Sequence, residues 1–101
     1  MIIYNITYQI DYAEARNFVI YLHEVHIPAI EASGLLKNPH LRRILSHKDD
    51  ATECFSLQFE TDSSQSLHKW YASDGARLNA DLLKAFGDKV TGFPTLMEEI
   101  D

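Results

Sequence analysis

The sequence predicts an α+β sandwich, a four-stranded antiparallel sheet with two helices on one face. Three observations predict it. Four segments carry apolar and β-branched residues at alternating positions, as half-buried strands do. Two longer segments repeat apolar residues at spacings of three and four, as one-sided helices do. The segments follow one another in the order β-α-β-β-α-β, the split-βαβ or ferredoxin-like arrangement.

The first strand is read over Ile2 to Ile10. Tyr4, Ile6 and Tyr8 point one way, Asn5, Thr7 and Gln9 the other. Asp11 ends it in the position of a helix N-cap. The first helix comes next, over Tyr12 to Ser33, with Ala15, Phe18, Leu22, Val25 and Ala29 on its buried stripe. Pro28 removes the backbone bond to Glu24 and should kink or divide this helix. Gly34 supplies its stop.

His40 to His47 is the second strand and Glu53 to Glu60 the third, with Lys48, Asp49 and Asp50 as a polar turn between them. That spacing suggests an antiparallel hairpin. Phe55, Leu57 and Phe59 oppose Cys54, Ser56 and Gln58 on the third strand. Asp62 and Gln65 have capping-box spacing and open the second helix. Leu67, Trp70 and Tyr71 form its apolar side, Asp74-Gly75 interrupts it, and Leu78, Leu82, Ala85 and Phe86 resume the stripe. Gly87 closes it. The last strand runs from Lys89 to Ile100, with Pro94 assigning it to an edge or bulge.

Length and charge narrow the function. The 101 residues fit one domain, residues 1–101. Nine basic against fifteen acidic side chains give a net charge of −6, which repels phosphate backbones and argues against nucleic-acid binding. No apolar run is long enough to span a membrane. Met1 leads into Ile2, Ile3 and Tyr4 without a signal-peptide pattern, and Cys54 is the lone cysteine, so a cytoplasmic location is expected.

Two helices cover one side of such a sheet. Asn5, Thr7, Ser56 and Gln58 fall on the other side, and the chain has no further element to cover them. A second copy of the same sheet would do so, giving a homodimer with a polar-lined space for a small molecule.

The opening Met1-Ile2-Ile3-Tyr4-Asn5, the segment Glu24-Val25-His26-Ile27-Pro28, Gly34, Arg43, Gln58-Phe59, Tyr71 and Phe86-Gly87-Asp88-Lys89-Val90 together resemble a bacterial family, the domain of unknown function DUF4286. The resemblance runs along essentially the whole chain. It implies a ferredoxin-like fold akin to the dimeric α/β-barrel group, which includes small monooxygenases, haem-degrading enzymes and simple binding proteins. It carries over no catalytic residue. In one departure, Phe93-Pro94-Thr95 stands where relatives tend to have an arginine between the aromatic residue and the threonine.

No motif supplies a chemical signature. His23 and His26 are three apart on a helix and could reach one ion, but no third ligand accompanies them. The string His23-Glu24-Val25-His26 lacks the two residues that a zinc-protease helix places between its glutamate and second histidine. No metal and no cofactor are therefore expected. Arg42 and Arg43 alternate across a strand, so one of them could meet an anion in the pocket. Trp70 and Tyr71 read either as core or as an aromatic wall. The expected pocket gathers Asn5, Thr7, His26, Arg43, Ser56, Gln58 and Tyr71.

Two functional readings remain. One is a homodimeric domain that binds a small molecule or a protein. The other is a cofactor-independent monooxygenase or haem-interacting enzyme of the dimeric-barrel kind. There His26 would serve as base or axial ligand, Asn5 and Gln58 would orient the substrate, and Arg43 would hold an acidic group.

Overall fold

Alternation along the first strand sets the sheet's two sides. In a computed structural model describing all residues 1–101, β1 (Ile2–Asp11) buries Tyr8 and Ile10, and Tyr4 and Ile6 pack against the same core. β3 (Thr52–Thr61) buries Phe55, Leu57 and Phe59. With β2 (Lys37–Arg43) and β4 (Val90–Glu98) these form one antiparallel sheet in the order β2-β3-β1-β4. This is the ferredoxin-like order that the sequence predicts.

β2 begins earlier than expected. It ends at Arg43, with a register shift between Lys37 and His40 and with Asn38 at a φ of 54°. The positions expected to finish the strand belong instead to the connection to β3. The last strand is an edge: Pro94 sits opposite Ile6 with no strand beyond it, so its missing N–H costs no ladder bond.

The first helical span, residues 12–31, starts with a 3-10 turn at Tyr12–Glu14, and Asp11 makes no side-chain capping bond. Its expected stripe holds for Ala15, Phe18 and Leu22 and then shifts. Leu22–His26 forms a π-turn in which the Ile27 N–H reaches the Leu22 carbonyl. The extra residue in that turn rotates the downstream positions: Val25 is exposed, while His26, Ile27 and Ile30 are buried. The widened turn directly precedes Pro28, whose ring would crowd the Glu24 carbonyl in ordinary α geometry. Pro28 thus widens the helix instead of dividing it. Gly34, at a φ of 74°, turns the chain out of the helix as expected.

The second helical span, residues 64–86, is capped by Ser63, whose hydroxyl accepts from the Ser66 N–H. Asp62 instead pairs with Lys37 at 3.3 Å on the surface. Asp74-Gly75 does not interrupt the helix. Tyr71–Gly75 is a second π-turn, with the Ala76 N–H on the Tyr71 carbonyl. Leu67 and Trp70 are buried before it and Gly75, Leu78 and Leu82 after it, while Tyr71 and Ala85 are exposed. The core lies between both helices and one side of the sheet.

Candidate functional site

The two π-turns face a cavity of about 170 Å³ bounded by the helices, β1 and β4. Its floor is buried: Tyr8 from β1, His26 from the first π-turn, Trp70 and Leu82 from the second helix, and Val90 from β4. Its rim is exposed, with Tyr71, Asn79 and Leu83 on the helix and Gly92 and Pro94 on the edge strand. Both glycines in the lining give way to aromatic rings. A Cβ on Gly75 would stand 2.7 Å from Trp70 Cζ3, and one on Gly92 would stand 2.9 Å from Tyr8 Cδ1.

The polar groups of this floor have no partners. Four buried side-chain atoms in the chain make no hydrogen bond: Tyr8 Oη, His26 Nδ1, Trp70 Nε1 and Thr61 Oγ1. The residues carrying the first three line the cavity. An unmade buried hydrogen bond costs about 1–3 kcal/mol, and native proteins seldom leave several in one place. Burial pushes the His26 pKa down to about 4, so its imidazole is neutral near pH 7. Burial, with Tyr4 and Tyr21 nearby, pushes the Tyr8 phenol up, so it too stays uncharged. No lysine, arginine, aspartate or glutamate lines the cavity.

The residues expected to share one pocket divide among three places. His26 and Tyr71 line the cavity. Asn5, Thr7, Ser56 and Gln58 stand on the helix-free side, since they pair with one another across β1 and β3 and alternate with the buried positions. There Asn5 donates to Thr7 at 3.2 Å and accepts from the Ser56 hydroxyl. Arg42 shares that side through its pairing with Ser56. Arg43 lies on the other side and away from the cavity, 3.5 Å from Glu53 and over the Phe55 ring. It therefore meets neither His26 nor the polar face.

The expected pocket leaves out Tyr8, Gly75 and Gly92, with Tyr8 open, like Trp70, to reading as core or as aromatic wall. The one available signal was Gly75 inside an apolar helical stripe, which marks either a break or a close approach. The space is smaller than a porphyrin, so the residues present do not fit haem with His26 as its axial ligand. No cluster of three or more histidine, cysteine or acidic side chains could hold a metal ion. No helix is long and apolar enough to cross a membrane.

Several solved structures share this fold. The chain superposes over its full length on 94% of a protein from Deinococcus radiodurans, provisionally called an antibiotic biosynthesis monooxygenase, with a TM-score of 0.73 and 20% identity. Over 99% of its length it covers 94% of a variant of SnoaB, a cofactor-independent oxygenase from Streptomyces nogalater, with a TM-score of 0.65 and 11% identity. The de novo designed protein Foldit4 is similar as well, with a TM-score of 0.64, 9% identity and 98% of each chain covered. A fold shared with a designed chain says nothing by itself about chemistry. No curated protein sequence matches the chain. The domain of unknown function DUF4286 matches residues 1–100, and with a ferredoxin-like fold along that whole length the chain belongs to this family.

Proposed function

We propose that the chain binds a small molecule in the cavity between its helices and β1–β4, working as a homodimer joined through the helix-free side of the sheet. One observation carries the binding reading. Tyr8, His26 and Trp70, each with an unpartnered buried polar atom, come from three separate elements and line one cavity. Such atoms cost a folding core stability, and the concave, mostly apolar space walled by their side chains is the kind that small molecules occupy. The dimer is supported by the bare sheet side. Phe93 and Met97 are 60% and 42% exposed there, opposite Thr7 and Ile3. A second copy would cover this mixed surface in the commonest oligomer geometry. A cytoplasmic setting, in keeping with the unpaired Cys54, completes the reading.

An amide NMR titration with small organic fragments tests the cavity. Perturbations should cluster at Tyr8, His26, Trp70, Gly75 and Gly92, and a cluster elsewhere would refute this location. Sedimentation tests the dimer: Thr7→Arg, in the middle of the bare side, should convert it to monomer. A wild-type protein that sediments as a monomer would refute that part.

A second reading, cofactor-independent oxygenation, is favoured by His26. Burial holds its imidazole in the neutral form that can accept a proton from a bound substrate. Dioxygen consumption with aromatic substrates, abolished by His26→Phe, would support this reading; a panel without uptake would count against it.

A further inference from the structure

We infer that a second groove, separate from the cavity, binds a small monocarboxylate with an apolar body, its head group held by Arg16 and Arg43. The groove lies between the start of the first helical span and the ends of β2 and β3, and it encloses about 400 Å³.

Arg43 leads to this place. It closes β2 opposite Phe55, on the helix side of the sheet, and its guanidinium stands 5.5 Å from the centre of the Phe55 ring. Glu53 on β3 meets its Nε at 3.5 Å. Ring and carboxylate together hold the planar fork in one orientation. The contact with Glu53 runs through Nε, so the two terminal nitrogens are left to an incoming group. Arg16 lines the same groove from the helix and forms no ion pair within the chain.

Charge selects the head group. The ionised residues of the lining are Arg16, Arg43 and Glu53, two cations against one anion, in a chain whose net charge is −6. This local reversal of sign attracts an anion. A single negative charge balances the surplus cation, whereas a dianion would bring excess charge beside Glu53. Guanidinium forks match the two oxygens of a carboxylate.

The walls select the body. Tyr12 and Ile20 are 65% and 43% exposed, and Ala15 and Val19 line the groove with them. A ring or short chain laid along this helix face takes apolar surface out of water on both sides. The Tyr12 N–H donates to the Ala51 carbonyl at 2.9 Å, which ties the helix start to the chain entering β3 and fixes one wall against the other. Because the groove opens on the helix side, a dimer formed through the bare side of the sheet leaves it free.

The test is an amide NMR titration of the intact protein with 3-phenylpropanoate, 3-phenylpropanamide, acetate and inorganic phosphate. The amide keeps the body without the charge, acetate keeps the head without the body, and phosphate offers a different anion. The expected result is saturable binding of 3-phenylpropanoate, with shifts at Tyr12, Arg16, Ile20 and Arg43. Its affinity should be about tenfold or more above that of the other three. Arg16→Gln and Arg43→Gln, both at exposed positions, should each weaken it about tenfold, and raising the salt from about 0.05 to about 0.5 M should weaken it severalfold. Equal affinity for the amide, for acetate or for phosphate would overturn the ligand class. Affinity unchanged in both variants, or shifts from 3-phenylpropanoate confined to the cavity residues Gly75 and Gly92, would overturn the site. Uncharged fragments report on the cavity and not on this groove, so either site can fail without the other.

Discussion

Gly75 closes directly on the Trp70 ring, where an added Cβ would come to 2.7 Å from Cζ3 and 2.9 Å from Cη2. The contact ties the last residue of the second π-turn to the aromatic floor of the cavity. Gly75→Ala should therefore lower stability despite alanine's better helix propensity. Overpacking costs about 1–3 kcal/mol, against about 1 kcal/mol gained in propensity. Thermal unfolding should show the loss, and the emission of Trp70 should shift. A variant with unchanged melting and emission would mean that the ring has room to move.

Tyr8→Phe should stabilise the free protein. The phenol oxygen is buried without a partner, while the ring packs edge to face on Phe18 at 5.1 Å and would stay in place. Removing an unsatisfied hydroxyl from such a site returns about 1–2 kcal/mol. Denaturant unfolding checks this, and a loss of stability would show that the hydroxyl has a partner in solution.

His26 should make stability depend on pH. Its folded pKa of about 4 lies below the ordinary value of 6.5, so between these limits the unfolded chain binds more protons than the folded one. Stability from this group is complete above about pH 6.5, falls as the pH drops below that value, and is exhausted near pH 4. The full span is about 3 kcal/mol. His26→Phe should remove this component from unfolding midpoints measured across that window. An identical acid profile in the variant would assign the dependence elsewhere.

Capping separates two adjacent residues of similar type. Ser63→Ala removes the acceptor for the Ser66 N–H and should cost about 1 kcal/mol. Asp62→Ala removes only an exposed pair with Lys37 and should cost a few tenths of that or nothing. Equal losses from the two substitutions would contradict this assignment of the cap.

Strand phases were legible in the sequence because period two is unambiguous over Tyr4, Ile6 and Tyr8 and over Phe55, Leu57 and Phe59. The partition of Asn5, Thr7, Ser56 and Gln58 to the bare side comes from the same parity. The cavity was not legible. Its position depends on two one-residue changes of helical phase, and a stripe extrapolated past Leu22 puts Val25 inwards where the structure buries His26 and Ile27. His26 is marked in the sequence by its closeness to Pro28, which is also where the helix widens. Tyr8 looked like any inward strand residue, because nothing local records that its hydroxyl ends among apolar neighbours without a partner. Parity alone leaves Arg42 and Arg43 equal candidates for the pocket, and Arg43 does not reach it. Its pairing opposite Phe55 sends it to the other side of the sheet.

The paired π-turns also bear on chain length. Each amounts to one surplus residue in an otherwise regular helix, and each sits where the helix borders the cavity. Excising a single exposed residue from each, Val25 from the first and Ala72 from the second, would restore uniform winding and leave Ile30, Leu78 and Leu82 in their inward phase. The surplus residue of each helix is thus taken up locally, beside the cavity, without disturbing the core-facing positions beyond it.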